Sequence, residues 1–510
     1  MQVKKVVIVG GGSSGWMTAA FLSEVMKDKP GPKIEITLIE SANIGKIGVG
    51  EATVVSIKYF LQKLGIGERE FLRETDGTFK QSIKFSNWTY DPKERPQHYY
   101  HPFDNPIIEG DLDVASFWVK KMLAGETKEP FADATSVQPA VCEAGLGPKL
   151  LTDKDYEAPL NYAYHFDAFK FATYLTTYAT SRGVNHIIDD VTETNLREDG
   201  YINSVTTLEN GEIEGDLFVD CTGFAAHLIG KKLEVPFIDF NWSLFCDRAI
   251  TMRVPYADPD HKITPYTHAT AQDNGWIWDI QLQKRRGVGY VYSGNAISDT
   301  QAEETMRAYI GPEAEGCDAQ VIPIKVGYRR EIWHKNCVAI GLSGGFIEPL
   351  ESTGIYLIES SIYALADYFP TNGGFEPLSK HFNRLLHSVY DNIISFVKLH
   401  YCLTKRTDTE FWKANADPAS FTDSLKESLD LYPYLTPPKY DPLYPTPFAQ
   451  PTSFQFILYG MDYKPKAASG HGSYFPDSRA EQYFALVKQR RSQALAGLPD
   501  HNALIRHLAG

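Results

Sequence analysis

Three glycines near the N-terminus have the spacing of a phosphate-binding loop. Gly10, Gly12 and Gly15 form a GxGxxG pattern that follows the β-branched run 6–9 and precedes a helical stretch over 16–25. Glycines permit a tight turn and close backbone approach, and the amides at the start of the helix bind a pyrophosphate. This order of strand, loop and helix predicts a dinucleotide site, with Ser13 and Trp16 inside the same turn. The pattern alone fits NAD, NADP and FAD.

Later segments favour FAD among these three cofactors. The second predicted strand, 34–39, ends in Glu40, the acidic position expected to hold a ribose hydroxyl. A late strand-to-glycine turn, Asp220-Cys221-Thr222-Gly223, is of the kind that accompanies FAD in this fold. We assign Gly341, which follows the predicted strand 338–340, to the same cofactor site.

A second glycine-dense loop, 45–53, has the sequence GKIGVGEAT. Its missing side chains allow the backbone to approach a flat or phosphorylated group. The residues of this loop predicted to contact the cofactor are Gly50, Glu51, Ala52 and Thr53.

The elements that position these loops alternate between strands and helices. We predict helices over 164–182 and 355–403, an antiparallel pair around Asn210-Gly211 and a β-rich stretch over 246–293. The interleaving resembles flavoprotein monooxygenases. It predicts an α/β fold in which a Rossmann-like FAD-binding domain is interleaved with a substrate domain and followed by a mainly helical C-terminal part.

Six segments follow from this interpretation. The FAD-binding parts are 1–84, 163–245 and 336–430, the last including a helical region, and the substrate parts are an aromatic-rich insertion over 85–162, a β-rich segment over 246–335 and a C-terminal pocket cover over 431–510.

Composition restricts the partners and the location of the protein. The 510 residues are 43% hydrophobic and 22% charged, as in folded soluble proteins, and the net charge of −14 disfavours nucleic acid and anionic membranes as partners. The sequence contains no run of about eighteen apolar residues, and the run 6–9 leaves no room for an export signal. We therefore expect a cytoplasmic protein.

The cysteines and histidines indicate no metal centre. Six cysteines are scattered without a CxxC pair, which argues against a disulfide framework and a structural zinc site. His98 and His101 have HxxH spacing, but no cysteine stands nearby as a further ligand, and we expect no metal site there.

Five patches resemble the flavin-dependent halogenases of the tryptophan halogenase family. They are GGGSSGWMTAA at 10–20, GVGEAT at 48–53, TFKQSIKFSNW at 78–88, GWIWDI at 275–280 and GGFIEPLESTGIY at 344–356, and the last is the most specific. The resemblance implies that reduced FAD and dioxygen form a flavin hydroperoxide, which a halide attacks to give hypohalous acid. That oxidant passes through an interior tunnel to a distant substrate pocket.

In that scheme Lys80 matches the lysine that the family requires. This lysine either donates a hydrogen bond to the hypohalous acid or is converted to a haloamine. An ammonium group suits the first role because it has three donors, and burial favours the neutral amine that the second role needs. A single lysine is otherwise more often a solvated surface charge, as we expect of Lys84.

Glu351 matches the glutamate that lies beside the reacting ring. A carboxylate there accepts the proton from the cationic ring intermediate. By the same resemblance Ser352 positions the substrate, and Thr353 and Gly354 offer backbone N–H groups to the halide next to the flavin. The alternative is a structural role, in which Glu348 and Glu351 stabilise a helix because acidic side chains are favourable near its N-terminus.

Trp276 and Trp278 fall on the WxWxIP element of the family. The resemblance implies that their indole rings contact the flavin cofactor and block the direct route between the flavin and the substrate. Gln281 stands in place of the family's proline. Two tryptophans at alternate strand positions are also common in a core, and both interpretations stay open.

The substrate pocket is predicted from aromatic residues. His101 and Phe103 match the residues that enclose the indole ring in the family. In the C-terminal clamp for free tryptophan, Phe448 matches a family Phe, Ala449 replaces the Trp and Tyr444 falls near the Glu. Because the charge-assisted hydrogen bond to an amino-acid ammonium is then lost, we expect indole, a substituted indole or another electron-rich aromatic as substrate.

The sequence therefore predicts a two-component halogenase that uses FADH2, dioxygen and chloride or bromide. No second nucleotide site for NADPH is recognisable, so a separate flavin reductase is the expected partner beside the small aromatic substrate. The alternatives are a flavin-dependent hydroxylase, favoured by Gln281, and a flavin-binding protein without turnover. A homo-oligomeric assembly stays open.

Overall fold

The computed structural model describes residues 2–28, 33–43, 48, 50–106, 113–258, 260–438, 448–468 and 474–510. The chain forms two compact units. The first unit comprises Met1–Gly77, Phe166–Phe240 and Lys325–Tyr390, and the second comprises Thr78–His165, Asn241–Ile324 and Asp391–Gly510. The division into six functional segments stays a prediction.

The strands of the described residues are numbered in chain order. They are β1 Lys5–Val9, β2 Glu35–Glu40, β3 Glu51–Ala52, β4 Thr78–Lys80, β5 Ser82–Ser86, β6 His98–Pro102, β7 Ala163–Phe166, β8 Asn185–Ile188, β9 Val191–Leu196, β10 Ile202–Thr207, β11 Gly211–Glu214, β12 Leu217–Asp220, β13 Phe237–Asp239, β14 Arg248–Pro255, β15 Thr267–Gln272, β16 Gly275–Gln281, β17 Arg285–Tyr292, β18 Ala319–Pro323, β19 Gly327–Arg329, β20 Trp333–His334, β21 Cys337–Ala339 and β22 Gly345–Phe346.

The α-helices of the described residues are numbered in the same way. They are α1 Ser13–Val25, α2 Ile57–Lys63, α3 Glu68–Glu74, α4 Val114–Leu123, α5 Phe131–Thr135, α6 Gln138–Glu143, α7 Ala168–Thr180, α8 Asp299–Ile310, α9 Thr353–Asp367, α10 Phe375–Cys402, α11 Glu410–Ala416, α12 Asp423–Leu431, α13 Pro451–Gly460, α14 Asp477–Gly497 and α15 His501–Ala509.

A mostly parallel sheet organises the first unit, with strand order β20-β21-β12-β1-β2-β8. β1 lies inside the sheet because Val6–Val9 are apolar and buried on both faces, as parallel strands require. Its register aligns Val6 with Leu217 of β12 and with Ile36 of β2. α1 returns along the sheet and packs against α7 and α9. This arrangement confirms the predicted α/β class with a Rossmann-like nucleotide domain.

Two predicted helices differ from the structure. The helix predicted over 164–182 begins only at Ala168, because Ala163–Phe166 form a strand and Asp167 caps the helix by accepting hydrogen bonds from the N–H groups of Phe169 and Lys170. The helix predicted over 355–403 is two helices, α9 and α10. Gly373 and Gly374 separate them with φ angles of 84° and 78°, which a helix does not accommodate.

A seven-stranded sheet organises the second unit, in the order β18-β14-β17-β16-β15-β5-β6. Its pairs are antiparallel except for β15 and β5, which run parallel. One face packs against α8 through a core that includes Met252, Tyr290 and Met306. The predicted β-rich stretch over 246–293 is thereby confirmed.

The C-terminal part of the second unit is helical, as predicted. α14 packs against α4 through Val114, Phe117, Ala480, Tyr483 and Val487. Among the described residues, none of the helices combines the length and the apolar character that crossing a membrane would require.

Candidate active site

The predicted phosphate loop lies at the end of β1 in the first unit. Gly10 has a φ of +115°, and a Cβ placed there would lie 2.2 Å from the carbonyl oxygen of Cys221. A Cβ on Gly15 would lie 1.9 Å from the carbonyl oxygen of Gly10. These two glycines are therefore required by the fold itself. Gly12 differs, because a Cβ on it would come within 4 Å of none of the described atoms.

Glu40 lies beside this loop at the end of β2. A Cβ on Gly11 would lie 1.7 Å from Glu40 Oε2, so the carboxylate packs directly on the loop backbone. Trp16 Nε1 donates a 3.4 Å hydrogen bond to Oε2, and His186 Nε2 lies 2.9 Å from Oε1. His186 was not predicted from the sequence, since its position on the neighbouring strand β8 becomes apparent only from the sheet order.

The residues of this loop fit a dinucleotide. Gly12 is the N-cap of α1, a 13-residue helix, and leaves the N-terminus of that helix without a side chain in front of it. The first backbone N–H groups of a helix lack intrahelical acceptors and carry partial positive charge, which suits a pyrophosphate. Ser13 begins the helix, and a Cβ on Gly341 would lie 2.8 Å from the Cβ of Ser14. The structure thus places Gly341 beside the first turn of α1, and its role in binding the cofactor stays a prediction.

The second glycine loop is described in part. Residues 45–47 and 49 lie outside the described residues, whereas Gly50, Glu51, Ala52 and Thr53 lie within them. Glu51 and Ala52 form β3, and Thr53 is buried. Desolvation, together with the negative charge of Asp167, raises the pKa of Glu51 to about 7. The carboxyl group of Glu51 therefore changes protonation near neutral pH.

The turn before α9 has an unusual backbone. Glu351 has φ 66° and ψ 10°, and Ser352 has φ 62° and ψ 40°. Two consecutive residues other than glycine in the left-handed region cost of order 1–3 kcal/mol each, and such strain is concentrated at functional sites. Both side chains are buried, with 4% and 6% exposure. The backbone thus holds a carboxylate inside the first unit at the start of a helix.

The predicted halide residues begin that helix. Thr353 is the first residue of α9 and is buried, and its Oγ1 donates a 3.4 Å hydrogen bond to the carbonyl oxygen of Glu348. A Cβ on Gly354 would meet none of the described atoms within 4 Å. The start of a 15-residue helix with space around Gly354 is chemically suited to a small anion.

A further buried carboxyl group on α9 was not predicted from the sequence. Glu359 is 1% exposed, and Ser56 Oγ donates a 2.5 Å hydrogen bond to its Oε2. Burial raises the pKa of Glu359 to about 8, even though the hydrogen bond from Ser56 opposes the shift. A sequence signal was present, because Glu359 lies among apolar residues in the helical pattern.

Lys80 is the last residue of β4 in the second unit and is fully buried. Its Nζ lies 5.0 Å from the centre of the Phe103 ring. The backbone N–H of Phe103 is held by Gln138 Oε1 at 2.7 Å and by the carbonyl oxygen of Gln81 at 3.1 Å. The structure therefore brings together Lys80 and Phe103, which the sequence predicted separately as catalytic and substrate-binding residues.

Lys84 has a different environment from Lys80. Its Nζ forms a 2.6 Å ion pair with Glu143, whose side chain is half-exposed. The side chain of Lys84 is only 16% exposed, so the expectation of a solvated surface charge is wrong, and the ion pair gives Lys84 a structural role in the second unit. The two lysines of the TFKQSIK patch are thus distinguishable by their surroundings.

His101 and Phe448 lie in one aromatic cluster of the second unit. The Phe396 ring lies 5.8 Å from the His101 ring and 6.4 Å from the Phe448 ring. The cluster also includes Phe454, 5.0 Å from Phe396, and Phe456, 5.9 Å from His101. Tyr444, the other predicted residue of this region, lies outside the described residues.

The sequence did not predict Phe396, Phe454 and Phe456. They lie on α10 and α13, where an apolar helical pattern does not distinguish pocket residues from core residues. Ala449 is buried, and its backbone N–H donates a 3.3 Å hydrogen bond to Asn392 Oδ1.

Trp276 and Trp278 lie on the same face of β16, with ring centres 6.2 Å apart. Trp276 is 1% exposed and its ring lies 6.2 Å from that of Trp88. Trp278 covers Gly289, where a Cβ would lie 2.1 Å from the indole ring. These contacts show both tryptophans packed in the second unit, and their predicted role at the cofactor stays a prediction.

The two predicted catalytic residues belong to different units. Lys80 and the aromatic cluster are part of the second unit, whereas Glu351 and the nucleotide loop are part of the first.

Comparison with known proteins agrees with these features. The family described as tryptophan halogenase matches residues 5–477. The 7-chloro-L-tryptophan 6-halogenase KtzR of Kutzneria sp. (strain 744) is 36% identical over 99% of this chain and 99% of its own length.

Solved structures show the same similarity. A tryptophan halogenase from Shewanella frigidimarina superposes with a TM-score of 0.94 at 38% identity, covering 100% of this chain and 98% of that chain. The tryptophan C-6 flavin-dependent halogenase (chlorinase) from taromycin biosynthesis superposes with a TM-score of 0.92 at 36% identity, covering 99% and 100%.

Proposed function

The chain belongs to the tryptophan halogenase family and is a flavin-dependent halogenase, and from this premise we propose that it chlorinates or brominates an electron-rich aromatic ring such as indole. The observation that carries the proposal is the juxtaposition of Lys80 and Phe103. Burial alone does not single out Lys80, because Lys398 is also buried and donates to the carbonyl oxygen of Ser243. Lys398 also has an aromatic neighbour, because its Nζ lies 4.9 Å from the centre of the Phe245 ring. What distinguishes Lys80 is that this lysine and its neighbour Phe103 both match positions of the family.

The glycine loop of the first unit would hold FAD. Gly12 and the first turn of α1 would bind the pyrophosphate, and Glu40 would accept a hydrogen bond from a ribose hydroxyl. Reduced FAD bound there supplies, with dioxygen and a halide ion, the two-electron oxidant that halogenation requires. The backbone N–H groups of Thr353 and Gly354 would bind that halide. The reduced flavin comes from a separate reductase.

Lys80 holds the oxidant next to the substrate. Hypohalous acid reaches Lys80 through the protein interior, where it is kept from bulk water. In one route the ammonium group donates a hydrogen bond to the hypohalous acid, which makes the halogen more electrophilic. In the other route the neutral amine attacks the halogen and becomes a haloamine, while the halogen–oxygen bond breaks and the oxygen leaves as water with one proton from the amine. Both routes place the halogen beside the ring of Phe103.

The aromatic step needs a proton acceptor. The ring carbon attacks the halogen, and the ring then loses the proton from the substituted carbon. With hypohalous acid the oxygen leaves as water, taking a proton from the ammonium of Lys80. With the haloamine the nitrogen of Lys80 leaves, and the proton lost by the ring finally restores the amine. We assign that proton to the buried carboxylate of Glu351. A positioned general base contributes roughly 10²–10⁴ in rate.

The pocket residues favour a flat, uncharged substrate. His101, Phe396 and Phe448 present ring faces and edges that suit an arene. Because Ala449 replaces the Trp of the amino-acid clamp and Tyr444 falls near the position of its Glu, we expect indole or a substituted indole to be a better substrate than free tryptophan.

The test supplies the full chain with FAD, an unrelated flavin reductase, NADH, oxygen, sodium bromide and either indole or tryptophan. Mass spectrometry of the products should show the isotope doublet of bromine on indole. Lys80→Met, which keeps the volume of the side chain, should lower product formation by about 10²-fold or more. Lys84→Met is the matched control and should retain activity.

Glu351→Gln and Glu348→Gln separate the two neighbouring carboxyl groups. We expect the first variant to lose roughly 10²–10⁴ in kcat with little change in KM, and the second to retain most of its turnover. Equal turnover of wild type and Lys80→Met would contradict the proposal.

Gln281 favours one second candidate function, hydroxylation of the same arene, because it replaces the proline of the WxWxIP element. A product that gains one oxygen and no bromine in the assay above would support this alternative over halogenation.

A further inference from the structure

The edge of β4 that faces away from β7 is closed by a histidine side chain. Along an antiparallel strand the N–H groups alternate between the two edges, and Phe79 is aligned with Tyr164 of β7. The N–H of Phe79 points to the other edge, where it donates a 3.2 Å hydrogen bond to Nε2 of His501. Because Phe79 is fully buried, this amide has no access to water.

The hydrogen bonds of His501 define its tautomer. Nδ1 lies 2.9 Å from the carbonyl oxygen of Ile263, so Nδ1 carries the proton and donates it. Nε2 then has a free lone pair for the N–H of Phe79. A doubly protonated ring would direct a second N–H against that of Phe79, so the contact requires the neutral imidazole.

The surroundings of His501 keep it neutral. Burial lowers its pKa to about 4, against opposing effects of the Ile263 carbonyl and Asp500 at the start of α15. His165 of β7 is the neighbouring titratable group, and burial together with the charges of Lys80, His501 and His268 holds its pKa well below 6.5. His501 therefore accepts the hydrogen bond from Phe79 throughout the neutral range.

His501 is itself fixed by the segment that follows α6. Its backbone N–H donates a 2.9 Å hydrogen bond to the carbonyl oxygen of Gly145. Gln81, the residue after Lys80, donates from Nε2 to the carbonyl oxygen of Leu146 at 2.8 Å. The same short segment thus anchors the start of α15 and the chain on the C-terminal side of Lys80.

We propose that His501 is a positioning residue for Lys80, which acts by holding the backbone of β4 through the N–H of Phe79. The inference rests on the proposed role of Lys80. The C-terminal helix α15 then determines the direction in which the Lys80 side chain leaves its strand, although α15 lies far from Lys80 in the sequence.

The test compares three variants of the full chain. His501→Phe keeps an aromatic ring but removes the acceptor, His501→Gln offers an uncharged oxygen at a similar reach, and His507→Phe alters an exposed histidine on the same helix. The first readout is hydrogen exchange of the Phe79 amide by mass spectrometry without flavin. The second is kcat and KM for indole bromination.

We expect His501→Phe to speed exchange at Phe79 by about tenfold or more. It should also lower kcat by roughly ten- to hundredfold with an unchanged KM for FADH2, because Lys80 is misplaced while the glycine loop is intact. His501→Gln should restore both readouts to within about threefold of wild type. His507→Phe should match wild type. If His501→Phe does not fold, His501→Asn, which is too short to reach Phe79, takes its place.

The outcomes separate the two proposals. The role of His501 would be overturned if His501→Phe exchanged the Phe79 amide at the wild-type rate. It would also be overturned if His501→Phe kept the wild-type kcat while Lys80→Met was inactive. Both results would leave the proposed function intact. Full activity of Lys80→Met would overturn the proposed function, and with it this inference, whatever the exchange rate of Phe79.

Discussion

Thr78 Oγ1 donates a 2.7 Å hydrogen bond to the backbone carbonyl oxygen of Gln281, which joins the first residue of β4 to the last residue of β16. The side chain of Gln281 is also engaged, because its Oε1 accepts a 2.7 Å hydrogen bond from the N–H of Thr264. The position at which this chain departs from the family's proline is therefore a bridge between three segments of the second unit. A proline there would keep the carbonyl contact and lose the side-chain contact.

Thr78→Val tests the bridge between β4 and β16. Thr78 is fully buried, and valine keeps its shape but removes the donor to the Gln281 carbonyl. We expect a loss of about 1 kcal/mol in the free energy of unfolding, measured by urea denaturation. Thr78→Ser keeps the hydroxyl and serves as the control for this donor. If the valine variant is as stable as the wild type, the hydrogen bond contributes nothing to folding.

The nucleotide domain was predictable because its signals are local. The run 6–9, the glycine spacing and the helix after it lie within one short segment. In the folded chain Gly15 packs against Gly10, and Gly341 packs against Ser14 in the first turn of the helix. The break between α9 and α10 was missed although Gly373 and Gly374 mark it, because the apolar helical pattern continues on both sides.

The surroundings of Lys80 could not be predicted in the same way. Phe79 and His501 are 422 residues apart, and no periodicity in a sequence indicates that a helix N-terminus closes a strand edge at such a distance. Likewise, the patch around Glu351 made this residue a candidate, but its left-handed backbone depends on the packing of the whole turn. Long-range contacts and backbone strain arise only in the folded chain.

The buried carboxyl group of Glu359 predicts an unusual dependence of stability on pH. Its pKa is raised from 4.5 to about 8 in the folded protein. Between these values the unfolded chain releases a proton that the folded chain retains, so stability falls as the pH rises. The substitution Glu359→Gln removes this loss of stability at high pH, and the glutamine oxygen still accepts the hydrogen bond from Ser56.

We expect wild type and Glu359→Gln to unfold alike near pH 4.5. At pH 8 the variant should be more stable by on the order of 2–4 kcal/mol. Glu427→Gln, an exposed substitution on α12, is the control and should follow the wild type at both pH values. Parallel stability curves for wild type and Glu359→Gln would show that Glu359 titrates normally.

The left-handed backbone at Ser352 predicts a strong dependence on residue type. Asparagine tolerates a φ near 62°, whereas a β-branched side chain does not. Ser352→Asn and Ser352→Val both replace the hydroxyl, so their difference isolates the backbone conformation. We expect the valine variant to be less stable by about 1–2 kcal/mol in urea unfolding. Equal stabilities would mean that the turn adopts another conformation in solution.

The glycines of the phosphate loop predict two distinct phenotypes. Gly10→Ala places a methyl group 2.2 Å from the Cys221 carbonyl at a φ of +115°, so the backbone must shift. We expect a loss of about 2 kcal/mol or more in the free energy of unfolding. Gly12→Ala meets none of the described atoms within 4 Å, so the apoprotein should unfold as the wild type does.

FAD binding separates the two variants further. The methyl group of Gly12→Ala would occupy the space where the pyrophosphate approaches α1, so the Kd for FAD should rise about tenfold or more. Titration of flavin fluorescence measures the Kd, and thermal unfolding of the flavin-free protein measures the fold. Gly497→Ala, at the end of α14, controls for a general effect of replacing glycine, because a Cβ there also meets none of the described atoms within 4 Å. A phosphate bound to the first N–H groups of α1 would leave no room for the added methyl carbon. If Gly12→Ala bound FAD with the wild-type Kd, the pyrophosphate would therefore have to bind away from this helix.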